Sequence, residues 1–133
     1  MKEPAIRPAT ILVVDDEPLI RWSLAERLRA DGHAVLEADD GRSALDQFSD
    51  DVDAVTLDYK LPDMDGLSIL RHMRARNPQI LVMFLTAYAT AETAAEAMAL
   101  GVFHFAKKPF DLDDISRRVR EAIEAKRFRS AMR

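Results

Sequence analysis

The stretch AVTLDYKLPDMDGL, residues 54–67, decides how the rest of the chain is read. Ala54, Val55, Thr56 and Leu57 suit a short buried strand, and that strand runs straight into the carboxylate of Asp58. A charge at the rim of an apolar core costs free energy unless a cation, a proton or a hydrogen-bond donor meets it. Pro62 then stiffens the loop, Asp63 and Asp65 flank Met64, and Gly66 allows a turn into a following helix. A partner for Asp58 therefore has to come from elsewhere along the chain.

The same strand–loop–helix unit recurs on either side. TILVV (10–14) is a β-rich run ending on Asp15 and Asp16; Pro18 then suits a first helical position, with Ile20, Leu24 and Leu28 at helical spacing until Gly32. HAVLEA (33–38) predicts a second strand, and Gly41–Phe48 a short helix with Ala44, Leu45 and Phe48 on one side. After the third strand, Leu67–Asn77 predicts a helix closed by Pro78. ILVMFL (80–85) fits a strand buried on both faces. Ala91–Leu100 predicts an alanine-rich helix stopped by Gly101, VFHFA (102–106) a fifth strand, and Ile115, Val119 and Ile123 a final helix beginning near Leu112. Five alternations of strand and helix imply an α/β fold, a parallel sheet doubly wound by helices on both faces.

The chain of 133 residues has room for one domain with a proper core. Its formal charge of −4 argues against this domain itself gripping nucleic acid. Its apolar runs are too short to span a bilayer, and MKEPAIRPAT carries no signal-peptide core, so no membrane partner is expected. Zero cysteines exclude disulfides and thiolate metal sites, which fits a cytoplasmic setting.

In a doubly wound sheet, ligands bind where the carboxyl ends of the strands share an edge. Asp15 and Asp16 follow the first strand, Asp58 ends the third, Thr86 ends the fourth and Lys108 follows the fifth. Taken singly, such residues are more often helix caps or solvated loop groups. Together they converge on one crevice. Packed carboxylates repel one another, and an oxygen-preferring divalent cation such as Mg²⁺ removes the conflict. His33, His72 and His104 are scattered and read as structural, so zinc is a poor candidate. A carboxylate nucleophile surrounded by a metal, a lysine and a hydroxyl suits phosphoryl transfer.

ILVVDDEP, LDYKLPDMDG, FLTAYA and FHFAKKPF stand in an order and spacing that resemble the receiver domain of two-component response regulators, over roughly residues 10–125. That resemblance implies a flavodoxin-like (βα)5 fold with strand order 2-1-3-4-5. It implies Asp58 as phosphoacceptor, and Asp15, Asp16, Asp58 and the backbone carbonyl of Lys60 as Mg²⁺ ligands. Thr86 becomes the phosphoryl-binding hydroxyl, Lys108 the cation that pairs with the acceptor, Pro109 a cis-proline, and Phe105 an aromatic switch partner for Thr86. The family is phosphorylated by a sensor histidine kinase or phosphotransfer protein, and a phosphorylation-dependent homodimer is expected. Asp63 and Asp65 read as loop and capping residues, Asp65 at the start of the third helix. Lys60 and Tyr88 fall at positions expected to tune the phosphoryl lifetime, and Phe105, lacking a hydroxyl, acts as a switch only by packing.

Rival readings fit less well. A haloacid-dehalogenase-type phosphatase resembles D-x-D at its nucleophile, whereas Tyr59 and Lys60 follow Asp58. A flavodoxin-like or dinucleotide-binding module wants glycines in its first loop, and DDEP offers negative charge instead. A pseudo-receiver would not keep every acid, the threonine and the lysine. LTAYATAETAAEAMALG resembles receivers of sigma-54-dependent, nitrogen-regulation-type transcriptional activators; a stand-alone regulator acting by protein contact or in a phosphorelay is the alternative. Residues 1–9 read as an N-terminal extension, and EAKRFRSAMR, with Lys126, Arg127, Arg129 and Arg133, as a solvated helix end or, over residues 126–133, the start of a linker to an output domain.

Overall fold

A computed structural model describes residues 8–132. Ten elements alternate: β1 (Thr10–Val14), α1 (Pro18–Ala30), β2 (Ala34–Ala38), α2 (Gly41–Gln47), β3 (Ala54–Leu57), α3 (Gly66–Arg76), β4 (Leu81–Thr86), α4 (Ala91–Ala99), β5 (His104–Lys107) and α5 (Leu112–Ala131). The strands form one parallel sheet in the order β2-β1-β3-β4-β5, the doubly wound arrangement expected. Most of the proposed N-terminal extension, residues 1–7, and Arg133 of the C-terminal one lie outside the described residues. No helix among the described residues is long and apolar enough to cross a membrane.

Alternation along each strand sends side chains to two cores. Leu12, Val14, Val55, Leu57, Val82 and Phe84 pack with residues of α2, α3 and α4, including Ile69, Leu70 and Met73. Ile11, Val13, Met83 and Leu85 pack on the other face, with Leu24 and Leu28 of α1 and Ile115, Val119 and Ile123 of α5. The i, i+4 stripes read from α1 and α5 are thus the buried stripes.

Three strands begin later than the sequence suggests, β4 by one residue at Leu81 and two others for a shared reason. HAVLEA loses His33 and VFHFA loses Val102 and Phe103 from the strand proper. At the end of α1, Gly32 N–H donates to Arg29 O and His33 N–H to Leu28 O; at the end of α4, Gly101 N–H donates to Met98 O and Val102 N–H to Ala97 O. Both are Schellman caps, with Gly32 (φ 99°) and Gly101 (φ 80°) in the left-handed region. The residue after each glycine closes the helix behind it before the chain turns extended.

Arg74 ties α3 to the far end of α4 and the start of β4. Its guanidinium donates to Leu100 O at 2.8 Å, to Gly101 O at 2.7 Å and to Ile80 O. Leu100 O and Gly101 O lie just past the last turn of α4, where carbonyls have no intrahelical donor.

Candidate functional site

The carboxyl edge of the sheet gathers the residues that follow β1, β3 and β5. Asp15 and Asp58 are buried, at 2% and 4% exposure. Between them sits Lys108, whose ammonium lies 2.8 Å from Asp15 Oδ2, 3.0 Å from Asp58 Oδ2 and 2.9 Å from Glu17 Oε2. The peptide bond between Lys108 and Pro109 is cis. Asp58 thereby acquires the partner that a buried strand-end carboxylate demands.

The charges remain unbalanced. Asp15, Glu17 and Asp58 share one buried ammonium, and Asp16 and Lys60 line the adjoining cavity. Burial pushes the Asp15 carboxyl above the usual aspartate range, although Lys108 and the Glu17 N–H oppose this. Burial also works against the Lys108 charge, but its bonds to Asp15, Glu17 and Asp58 outweigh that and hold the ammonium above the ordinary lysine range. One atom has no partner among the described residues: Asp58 Oδ1 is buried without a hydrogen bond. An unmet carboxylate oxygen in such a place is costly unless a ligand meets it. Asp58 lines a cavity of about 200 Å³ together with Asp16, Glu17, Lys60, Leu61, Pro62, Ala87, Tyr88 and Lys108. Asp15, Asp16 and Asp58 each present a ligand atom, all within 4.8 Å of one another. An all-oxygen donor set with excess negative charge fits a hard divalent cation.

Local sequence explains the rigidity of the acceptor loop. Gly66 N–H donates to Tyr59 O at 2.5 Å, and Lys60 pairs with Asp65 in an isolated bridge. A Cβ at position 66 would strike the Asp58 carbonyl oxygen, the Phe84 ring at 2.8 Å and Tyr59 Cα at 2.9 Å, so only glycine fits. Asp65 caps α3, accepting from Ser68 N–H at 2.8 Å. Asp63 caps a different helix: its carboxylate accepts from Gly41 N–H at 2.7 Å and Arg42 N–H at 2.9 Å, at the start of α2. Those bonds hold its carboxyl below the usual range.

Two expected residues stand back from the cavity. Thr86 is fully buried, and its hydroxyl accepts the Tyr88 N–H at 3.0 Å. Phe105 packs beside the first core, its ring stacked on Phe84 with centroids 5.9 Å apart. Lys60 extends over the Tyr88 ring, 4.9 Å from its centroid, beside the cavity mouth. Glu17 joins the site without a motif of its own: its only signal in the sequence is its place between the acidic pair and Pro18.

The sequence profile of the response regulator receiver domain matches residues 11–120. Regulatory protein AtoC of Escherichia coli is 38% identical over 124 residues, which are 92% of this chain and 27% of that protein. The chain therefore spans about a quarter of that relative. Sporulation initiation phosphotransferase F of Bacillus subtilis is 39% identical over 118 residues, covering 87% of this chain and 94% of its own length. Among solved structures, a receiver domain from Clostridium thermocellum superposes with a TM-score of 0.84 at 33% identity, covering 90% of this chain and 98% of that one.

Proposed function

This chain belongs to the response regulator receiver family, and on that premise we propose that it is phosphorylated on Asp58 and relays the event through its surface. One observation carries the reading: Asp58 Oδ2 is pinned by Lys108 while the buried Oδ1 has no partner beside a small polar cavity. In the reaction this free oxygen attacks the phosphorus of the donor. The bond from phosphorus to the leaving group breaks, and the leaving group departs with the electron pair. Lys108 stays protonated throughout and neutralises charge on the transferred group. The hydroxyl of Thr86 then exchanges its bond with Tyr88 N–H for one to a phosphoryl oxygen. Bound Mg²⁺, held by Asp15, Asp16, Asp58 and the Lys60 carbonyl, would supply further charge neutralisation to the phosphoryl oxygens.

The donor in this reading is a sensor histidine kinase or a phosphotransfer protein; the likeness to a sporulation phosphotransferase supports it. Movement of Thr86 vacates space that Phe105 fills, which alters the α4–β5–α5 surface and favours a homodimer. Residues 10–125 form the receiver, and residues 126–133 begin a linker in the cytoplasm. The likeness to a regulatory protein supports a regulatory output, and the stretch LTAYATAETAAEAMALG favours sigma-54-dependent transcription. A stand-alone role is the second reading, favoured by the near full-length match to the phosphotransferase.

Incubation with Mg²⁺ and a small phosphodonor should add one hydroxylamine-sensitive acyl phosphate, and Asp58→Asn should abolish it. A label mapped by peptide sequencing to Asp63 or Asp65 would refute the assignment.

A further inference from the structure

Lys108 has three N–H donors, and all are engaged, by Asp15, Glu17 and Asp58. A phosphoryl oxygen arriving at Asp58 needs one of them, so one carboxylate has to let go. Asp15 is poorly suited: its side chain is 3% exposed, it also accepts the Glu17 N–H at 2.9 Å, and releasing it would strand a buried charge. Asp58 is the acceptor itself. Glu17 is different, because its side chain is 54% exposed and regains water at once when released.

A second observation points the same way. Glu17 occupies the N-cap of α1, yet its side chain makes no capping bond, and the first turn of that helix holds no other acid. A carboxylate here has the helix end within reach, and it lies instead on Lys108, lining the same cavity as Asp58.

We propose that Glu17 is a positioning residue that holds the third N–H of Lys108 in the resting site and yields it to the incoming phosphoryl group. The inference rests on Asp58 being the phosphoacceptor. Glu17 competes with the phosphoryl group for Lys108, so its loss should favour the occupied state rather than weaken it.

The test is calorimetric titration of the full chain with beryllofluoride, a phosphoryl analogue, at saturating Mg²⁺, comparing the parent with Glu17→Gln and Glu17→Ala. Both variants should bind beryllofluoride about two- to fivefold more tightly, the range of an exposed ion pair. The gain should persist in about 1 M salt, where the screening length is about 3 Å and only contact pairs survive. In the resting variants the Lys108 ammonium protons, followed by ¹⁵N-lysine NMR, should exchange faster with water. Unchanged or weaker beryllofluoride binding overturns the proposal, as does a gain that vanishes in salt. A tenfold loss of Mg²⁺ affinity in Glu17→Gln would mark Glu17 as a metal ligand and also overturn it. If the parent itself fails to bind beryllofluoride, the phosphoacceptor reading falls, and this inference with it.

Discussion

Gly66→Ala tests whether the acceptor loop is fixed by close packing. The added methyl would meet the Asp58 carbonyl oxygen and Tyr59 Cα, both backbone atoms, and the Phe84 ring, which is fully buried. None of these can rotate aside. Overpacking of this kind costs about 1–3 kcal/mol, offset by about 0.4–1 kcal/mol from restricting the unfolded chain. The net loss should be about 1–2 kcal/mol, or a fall in Tm of about 3–10 °C for a domain of this size. Because the struck carbonyl belongs to Asp58, Mg²⁺ affinity and the rate of phosphorylation should fall as well, at temperatures where the variant is fully folded. Gly32→Ala is the control. Gly32 has a φ of 99° with nothing near its missing Cβ, so that change strains the backbone, lowers stability by about 1–2 kcal/mol and leaves the site untouched. Urea denaturation and a Mg²⁺ titration on both variants separate the two effects. A Gly66→Ala protein as stable as the parent, with undiminished Mg²⁺ affinity, would refute the packing argument.

Three further outcomes follow from the site and the core. Asp16→Ala should weaken Mg²⁺ binding strongly while keeping the fold, since it removes an exposed ligand and relieves repulsion in a crowded cluster; calorimetry and circular dichroism read the two. Thr86→Ala should still accept phosphate from a small donor but lose most of the phosphorylation-dependent dimerisation seen by sedimentation, at a stability cost of about 1 kcal/mol for the unpaired Tyr88 N–H. Burial holds the His33 imidazole below its ordinary range, and its Nδ1 accepts the Ala9 N–H. The fold favours the neutral ring, so the contribution of His33 is fully present above the unfolded pKa of about 6.5 and is lost as pH falls below it. His33→Gln should flatten the stability–pH curve between about pH 7 and pH 5, and urea midpoints that fall as steeply as the parent's would contradict this.

The fold was legible because its signals are local: periodicity, glycine stops and strand-end charges all lie within a few residues of one another. The strand-end rule was enough to bring Asp15, Asp16, Asp58 and Lys108 together, since β1, β3 and β5 deliver them to the same edge. Strand starts at His33 and Val102 were misplaced because an apolar or β-prone residue after glycine can close a helix as well as open a strand. Asp63 on α2 and Arg74 on the end of α4 were out of reach for another reason. Each depends on where a side chain lands after two helices have docked, and no spacing along the chain encodes that. Thr86 and Phe105 were located correctly on their strands, but their present partners, Tyr88 N–H and Phe84, follow from side-chain packing.

The acceptor loop is anchored twice, by Asp63 on the start of α2 and by Gly66 under the Phe84 ring. Its length is therefore not a free variable. One residue inserted between Asp58 and Asp63 forces a choice between keeping the α2 clamp and keeping the reach from strand to clamp, and one inserted after Asp63 displaces the glycine. An engineer grafting a tag or a sensor module onto this domain should instead use Asp50 and Asp51, an exposed turn at the opposite end of β3. Chain added there costs little, while the eight steps from Asp58 to Gly66 are held in number by the two anchors at their ends.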